Sequence, residues 1–193
     1  TASGGSEVIL SAQTETLTIT GDAGVDKITG GEGVDTIDGA GGDDIITIAA
    51  AGKGNTDVMD GGADADVLQL STGAHAFADN DKLKNIETIK TASGGSEVDL
   101  SAQTEALTIT GDGGVDEITG GEGVDTIDAG AVAYSIKIAQ DANGNTDVMD
   151  GGADADVLQL STVAHTFGDD AKLKNIFKIN TSTRATDDYR SRQ

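Results

Sequence analysis

Cysteine, proline and tryptophan are all absent from the 193 residues, and only three Phe and two Tyr are present. Without cysteine, neither a disulfide framework nor thiol chemistry is possible, so cysteine usage does not decide the compartment. No stretch approaches the roughly 18 apolar residues of a membrane-spanning helix. No charged segment followed by an apolar one opens the chain as a signal peptide would. A membrane span is therefore not expected.

Basic residues are scarce: 12 Lys and Arg stand against 34 Asp and Glu, which gives a formal net charge of -22. This charge opposes binding to nucleic acid or to other anions, including at the phosphate-loop-like Gly30-Gly31-x-Gly33. Strong self-repulsion with few aromatics is close to the composition of a disordered chain that lacks its ligand. The fixed spacing of the aliphatic residues argues against permanent disorder.

Motifs of catalysis are missing, since the chain has no HExxH, no GxSxG, no Walker loop and no cysteine nucleophile. His75 and His165 occupy the same place in a longer repeat (AHAF and AHTF), which favours a repeat feature over a general base. The carboxylates could supply an acid/base pair as in glycosidases, but no aromatic sugar platform accompanies them. The sequence predicts that this chain is not an enzyme.

Glycine and aspartate are abundant, and their spacing is regular. Residues 21–69 form nonapeptides that start at Gly21, Gly30, Gly39, Gly52 and Gly61, with four extra residues before Gly52. The sixth position of each is Asp, and the eighth is a large aliphatic residue such as Ile28 or Leu68. A Gly-rich stretch turns tightly and can aim its carbonyl oxygens at one point, to which the Asp adds a carboxylate. The x-U-x triplet that follows predicts a short strand with one inward side chain.

These nonapeptides resemble the calcium-binding repeats of the RTX (repeats-in-toxin) family. The resemblance implies an all-β fold, a right-handed parallel β-roll or β-solenoid, with Ca²⁺ in the Gly/Asp turns. Because calcium takes roughly six to eight oxygen ligands, two stacked turns are needed for one ion. The resemblance further implies type I secretion and an extracellular or cell-surface location. The implied metal-site residues are Asp26, Asp35, Asp44, Asp57, Asp66, Asp116, Asp125, Asp147 and Asp156, with Gly21, Gly30, Gly39, Gly61, Gly120 and Gly151 in the turns.

A second repeat of 90 residues lies on top of the first. Residues 1–90 and 91–180 are tandem copies, and GNTDVMDGGADADVLQLST at Gly54 returns unchanged at Gly144. The predicted units are therefore a first RTX-like solenoid repeat (1–90), a second (91–180) and a tail or linker (181–193) that holds all three Arg. Because its bounds coincide with repeat bounds, the chain is expected to be an excerpt of a longer array. The tail could also give a basic contact to an acidic neighbour.

The two copies differ most where Asp43 and Asp44 become Ala133 and Tyr134. Because turns of a two-sided roll alternate edges, we expect Asp26 with Asp44, Asp35 with Asp57, and Asp44 with Asp66. In copy two, Tyr134 interrupts one edge and leaves Asp125 with Asp147 as the best pair. The prediction is about three ions in copy one and about one in copy two.

The segments without Gly/Asp turns, Leu70 to Lys90 and Thr91 to Thr110, keep the aliphatic spacing and are expected to continue the solenoid without metal. Within them, a helical turn around Asp79 to Lys84 and a strand at Ile86 to Ile89 are predicted.

Three functions remain open from the sequence. Long near-identical copies favour a calcium-stiffened structural segment of a secreted surface protein, such as an adhesin, surface layer or filament. The alternatives are the folding and secretion segment of a larger RTX toxin or hydrolase, and a carbohydrate- or ice-binding solenoid. Expected partners are calcium ions and further copies of the repeat, joined head to tail or within a longer chain.

Overall fold

The structure is a computed structural model that describes residues 4–49, 56–77, 79–137, 147–160 and 172–181. The described residues form a parallel β-solenoid, as the sequence predicts. The strands are β1 (Glu7–Ile9), β2 (Thr18–Thr20), β3 (Lys27–Thr29), β4 (Thr36–Asp38), β5 (Ile45–Thr47), β6 (Val58–Asp60), β7 (Val67–Gln69), β8 (Gly73–Ala76), β9 (Leu83–Lys84), β10 (Thr88–Lys90), β11 (Ser96–Asp99), β12 (Thr108–Thr110), β13 (Glu117–Thr119), β14 (Thr126–Asp128), β15 (Ser135–Lys137), β16 (Val148–Asp150), β17 (Asp156–Leu160), β18 (Leu173–Lys174) and β19 (Ile176–Thr181).

Most strands are the x-U-x triplets of the nonapeptides, and the middle residue faces the core. Ile28, Ile37 and Ile46 are buried, whereas the residues on either side of each are partly or fully exposed. Parallel registry stacks each inward residue on its equivalent in the next coil, as Ile28 pairs with Ile46 and Ile46 with Leu68. The result is a continuous aliphatic row that a single nonapeptide could not bury alone.

The strands form three sheets. A long sheet has the order β1-β3-β5-β7-β10-β12-β14-β16-β18. Strands between these in sequence belong to a first short sheet, β2-β4-β6-β9, and a second short sheet, β8-β11-β13-β15-β17-β19. The chain therefore alternates between the long sheet and a short one, except that β8 and β9, one from each short sheet, both lie between β7 and β10. Each coil has turns at two edges.

Equivalent strands of the two copies lie in different sheets. Strand β1 is in the long sheet, but its copy-two equivalent β11 is in the second short sheet. Strand β2 is in the first short sheet, and its equivalent β12 is in the long sheet. We call one passage across the solenoid, from one edge to the other, a half-coil. Each 90-residue copy thus spans an odd number of half-coils. Equivalent turns of neighbouring copies therefore lie on opposite edges.

The segment without Gly/Asp turns continues the solenoid. A single 3-10 turn, Asn80–Lys82, stands where a helical turn is predicted, and the Asp79 side chain caps it by accepting from the Asp81 N–H at 3.0 Å. The following strand begins at Thr88, two residues later than predicted. Leu83 belongs to β9 and pairs with Met59 of β6, and this pairing ends the turn early.

The two copies are joined by strand pairing and by side-chain contacts. Ile89 of copy one and Ile109 of copy two pair in the long sheet, and both are fully buried. The Gln103 amide of copy two donates to the Phe77 carbonyl at 2.9 Å, and Asn80 accepts from the Thr104 N–H at 3.0 Å.

Among the described residues, no helix has the length and apolarity to cross a membrane.

Candidate metal sites along the two edges

The sixth-position residues of the nonapeptides, together with the residues at the same place in coils without a nonapeptide, form two rows along the solenoid. The first edge carries the turns that precede strands of the long sheet, and the second edge carries those that precede strands of the short sheets. The first edge holds Ser6, Asp26, Asp44, Asp66, Glu87, Leu107, Asp125 and Asp147. The second edge holds Leu17, Asp35, Asp57, Ser96, Asp116, Tyr134 and Asp156.

Each carboxylate in a row binds the main chain of the turn below it. The Asp26 N–H donates to Asp44 Oδ1 at 2.7 Å, and the Asp44 N–H donates to Asp66 Oδ1 at 2.7 Å. On the second edge the Asp35 N–H donates to Asp57 Oδ1 at 2.9 Å, across the four extra residues. The structure therefore places the predicted neighbours of copy one next to each other.

Copy two has fewer such contacts between carboxylates. The Asp125 N–H donates to Asp147 Oδ1 at 3.0 Å on the first edge. On the second edge, Asp156 Oδ1 accepts from the Tyr134 N–H at 2.9 Å, and Tyr134 separates Asp156 from Asp116. Because the copies exchange edges, the pair Asp125 and Asp147 lies in line with Asp26 and Asp44, not with its sequence equivalents.

The second carboxylate oxygens are the atoms that can take a cation. Oδ2 of Asp26 accepts from the Asp22 N–H at 2.7 Å. In contrast, Oδ2 of Asp44, Asp66 and Asp156 is buried without a hydrogen-bond partner. A buried carboxylate oxygen without a partner is costly, so these three atoms call for a ligand.

The first glycine of a turn makes room for this arrangement. A Cβ at Gly39 would lie 2.4 Å from both Asp44 Oδ2 and the Gly61 carbonyl oxygen, and a Cβ at Gly21 would meet the equivalent pair of oxygens. Gly61 and Gly151 are crowded in the same way, whereas Gly30 and Gly120 have looser surroundings. Carboxylate and carbonyl oxygens converge on the turn, and this is the donor set that calcium prefers. The residues present therefore fit calcium.

Side-chain carboxylates alone do not form the shell. Within the described ranges, no group of three or more His, Cys, Asp or Glu has the spacing of a metal cluster. Main-chain oxygens from two coils must supply the remaining ligands, as is usual for calcium. A bound ion would neutralise the carboxylates and link neighbouring coils.

Burial raises the pKa of several of these carboxyls. Desolvation raises the pKa of Asp66 to about 6, and the nearby charges of Asp44 and Glu87 add to the effect. Desolvation also raises the pKa of Asp44 and of Asp156. Without a cation, the folded chain holds its carboxylates against an electrostatic cost.

Tyr134 fills the place of a ligand with its own hydroxyl. The side chain is only 3% exposed, and its hydroxyl donates to the Asp112 carbonyl. A Cβ at Gly111 would lie 2.8 Å from the Tyr134 hydroxyl oxygen, where copy one has the Asp26 carboxylate beside Gly21. Asp116, whose pKa is raised by burial, accepts from the Thr91 hydroxyl at 2.8 Å. Hydroxyl groups thus satisfy this turn.

A family comparison decides the identity of the repeats. The RTX calcium-binding nonapeptide repeat matches in four copies, at residues 18–46, 51–74, 108–133 and 141–159, which together make up just over half of the chain. The chain belongs to the RTX repeat family. No curated protein and no solved structure matched it. RTX repeats bind calcium in a β-roll, in agreement with the turns and sheets described above.

One residue next to the RTX turns was missed by the sequence analysis. Glu87 lies on the first edge and accepts from the Asp66 N–H at 2.8 Å, although it is outside the family matches. Glu87 follows Asp66 by 21 residues, which is the length of one coil. This spacing is the sequence feature from which the position of Glu87 could have been predicted. His75 is buried and contacts the Ser71 carbonyl at 2.8 Å, as a structural residue would. His165 and the Arg-containing tail beyond Thr181 lie outside the described residues.

Proposed function

We propose that this chain is a non-enzymatic structural segment of a secreted surface protein, which calcium folds and stiffens. The family match supports calcium binding, and proteins with these repeats are typically extracellular. Two near-identical solenoid copies support a role as an extended array, such as an adhesin, surface layer or filament, exported by type I secretion.

The observation that carries the proposal is the row of buried carboxylates on each edge. Asp44, Asp66 and Asp156 each bury an oxygen that has no hydrogen-bond partner. A net charge of -22 and a core of single aliphatic rows are insufficient to hold such groups without a cation. Calcium binds only the folded turns, so its binding free energy adds to folding.

Circular dichroism and small-angle scattering of the full chain test the proposal. Without calcium we expect a largely unordered spectrum and an expanded coil. Millimolar calcium should produce a β signature and an elongated particle, and magnesium at the same concentration should not, because it prefers smaller octahedral sites. A spectrum that is fully β without calcium and unchanged by calcium would refute the calcium-dependent role.

We further propose that the repeat associates head to tail with another copy of itself. The junction inside the chain provides the template: β10 of copy one pairs with β12 of copy two. The equivalent strands, β19 and β2, each have one neighbour in the described part of the chain. Ile179 is 50% exposed on β19, whereas its equivalent Ile89 is fully buried at the internal junction.

The opposite end has a matching surface. Gln13 and Thr14 are exposed, whereas their equivalents Gln103 and Thr104 bind copy one. Glu15 accepts from the Thr14 N–H, just as Glu105 accepts from the Thr104 N–H, so this end already has the conformation used at the junction. A further copy, from a second molecule or a longer chain, fits this end.

A further inference from the structure

We propose that Asp66, Glu87 and the main-chain oxygen of Asn85 form a further calcium site in the last coil of copy one. This site lies outside the nonapeptide motif, and it rests on the calcium binding proposed above. It also revises the expectation that the segment from Leu70 to Lys90 takes no metal.

The Asp66 carboxylate is the centre of the site. Asp66 is fully buried, and its Oδ2 has no hydrogen-bond partner. On the first edge below it, Asp26 and Asp44 each receive a carboxylate from the next coil. The coil above Asp66 contains no nonapeptide, yet Glu87 occupies the same position and accepts from the Asp66 N–H at 2.8 Å.

Asn85 supplies the carbonyl that a Gly-rich turn supplies elsewhere. A Cβ at Gly61 would lie 2.0 Å from the Asn85 carbonyl oxygen and 2.6 Å from Asp66 Oδ2, so both oxygens converge on the same turn. Asn85 has a left-handed φ of 49°, which asparagine tolerates better than most residues. Its side chain donates to Asp60 Oδ1 at 2.7 Å, which fixes this geometry.

The four residues Lys84 to Glu87 therefore replace a six-residue Gly/Asp turn. They bring one carbonyl and one carboxylate to the buried Asp66 oxygen. The Glu87 side chain is exposed, so its second oxygen can reach an ion that enters from solvent. Hard oxygen donors of this kind, in a flexible arrangement, select calcium over magnesium.

Copy two contains the same half-site without the second carboxylate. Asn175 has a φ of 51° and binds Asp150 Oδ1 at 2.7 Å, as Asn85 binds Asp60. The Asn175 carbonyl and Asp156 Oδ2 again converge at Gly151, and Asp156 Oδ2 again has no partner. Phe177 stands in the place of Glu87 and is 79% exposed. The chain thus offers a site and a matched position that lacks one ligand.

Calcium stoichiometry of the full chain tests the proposal. Glu87→Gln keeps an acceptor for the Asp66 N–H but removes the carboxylate, and it should lower the number of bound ions by one. Phe177→Glu should raise the number by one. Glu97→Gln removes an equal charge from an exposed position of β11 and should leave the number unchanged. Equilibrium dialysis with calcium gives the count, and circular dichroism in saturating calcium confirms that each variant is folded.

The outcomes separate this site from the general function. If the wild-type chain binds calcium and neither Glu87→Gln nor Phe177→Glu changes the count, the Glu87 site is refuted. An equal loss in Glu97→Gln would also refute it, because net charge alone would then explain the loss. If Glu87→Gln fails to fold, the gain in Phe177→Glu decides. A wild-type chain that binds no calcium at all would refute the proposed function.

Discussion

Individual buried carboxyl groups in this protein favour opposite protonation states with and without calcium. Oδ1 of Asp44 and of Asp66 accepts a main-chain N–H from the neighbouring turn, and Oδ2 of each is buried without a partner. Without an ion, protonation relieves the cost of burying the charge. With an ion, the carboxyl must be deprotonated to bind it.

Acidification should therefore stabilise the calcium-free protein. Desolvation raises the pKa of Asp66 to about 6, and it raises the pKa of Asp44, Asp116 and Asp156 above the ordinary value. A raised carboxyl pKa favours the folded state below the unfolded pKa of about 4, and this contribution is lost as pH rises through the folded pKa. In chelator, where the chain is largely unordered near pH 7, circular dichroism should show a larger β signal near pH 5.

The calcium-bound protein should respond in the opposite direction, because protons compete with the ion for the same oxygens. For the calcium-free protein, Asp66→Asn is the matched variant, since it removes a carboxyl whose pKa is raised to about 6 and should therefore reduce the gain on acidification. A calcium-free β signal that is no larger near pH 5 than near pH 7 would contradict the raised pKa of these buried carboxyls.

At the scale of turns and strands, the two copies should bind calcium unequally. On the second edge, the Tyr134 hydroxyl contacts the Asp112 carbonyl, and its ring lies against Gly111. Burial raises the pKa of this hydroxyl, which stays a neutral donor at neutral pH. We expect ions between the stacked carboxylates of copy one and between Asp125 and Asp147, but none beside Tyr134.

Replacement of the tyrosine tests this directly. Tyr134→Asp should restore carboxylate pairs with Asp116 and Asp156 and add up to two ions, whereas Tyr134→Phe should add none. Tyr134→Phe also leaves the Asp112 carbonyl without the hydroxyl that donates to it and should lower stability by about 1 to 3 kcal/mol. Anomalous scattering from calcium in crystals of the wild type and of Tyr134→Asp locates the ions. An ion beside Tyr134 in the wild type would show that the hydroxyl does not replace it.

At the scale of the whole molecule, the proposed head-to-tail contact would build a linear assembly. A contact between unlike ends does not close on itself, so growth in one dimension is its natural outcome. Because each copy spans an odd number of half-coils, successive copies present the same turn on alternate edges. The pattern of carboxylates along one edge therefore repeats only after every second copy.

Sedimentation in calcium over a wide range of protein concentration should show association. Ile179→Lys places a charge where Ile89 is buried at the internal junction, and it should abolish the association. Asn180→Lys is the matched control because copy one has Lys90 at that position within an intact junction. A wild-type chain that stays monomeric at all concentrations would refute head-to-tail stacking.

The sequence determined the local elements. Glycine spacing, the sixth-position Asp and the eighth-position aliphatic residue predicted the short strands, their inward residues such as Ile28 and Leu68, and the Gly/Asp turns between them. These features are predictable because each depends on a few consecutive residues. The helical turn predicted around Asp79 is shorter in the structure because Leu83 pairs with Met59.

Only the tertiary structure decided which turns meet. Residues in contact along an edge are 18, 20, 21 or 22 positions apart, so coil length varies along the chain. The odd number of half-coils moves Asp125 and Asp147 into line with Asp26, and the exposed Glu87 reaches Asp66 although its own segment has no Gly/Asp turn. A calcium shell takes oxygens from two coils, so its composition depends on how the coils stack, which no single nonapeptide specifies.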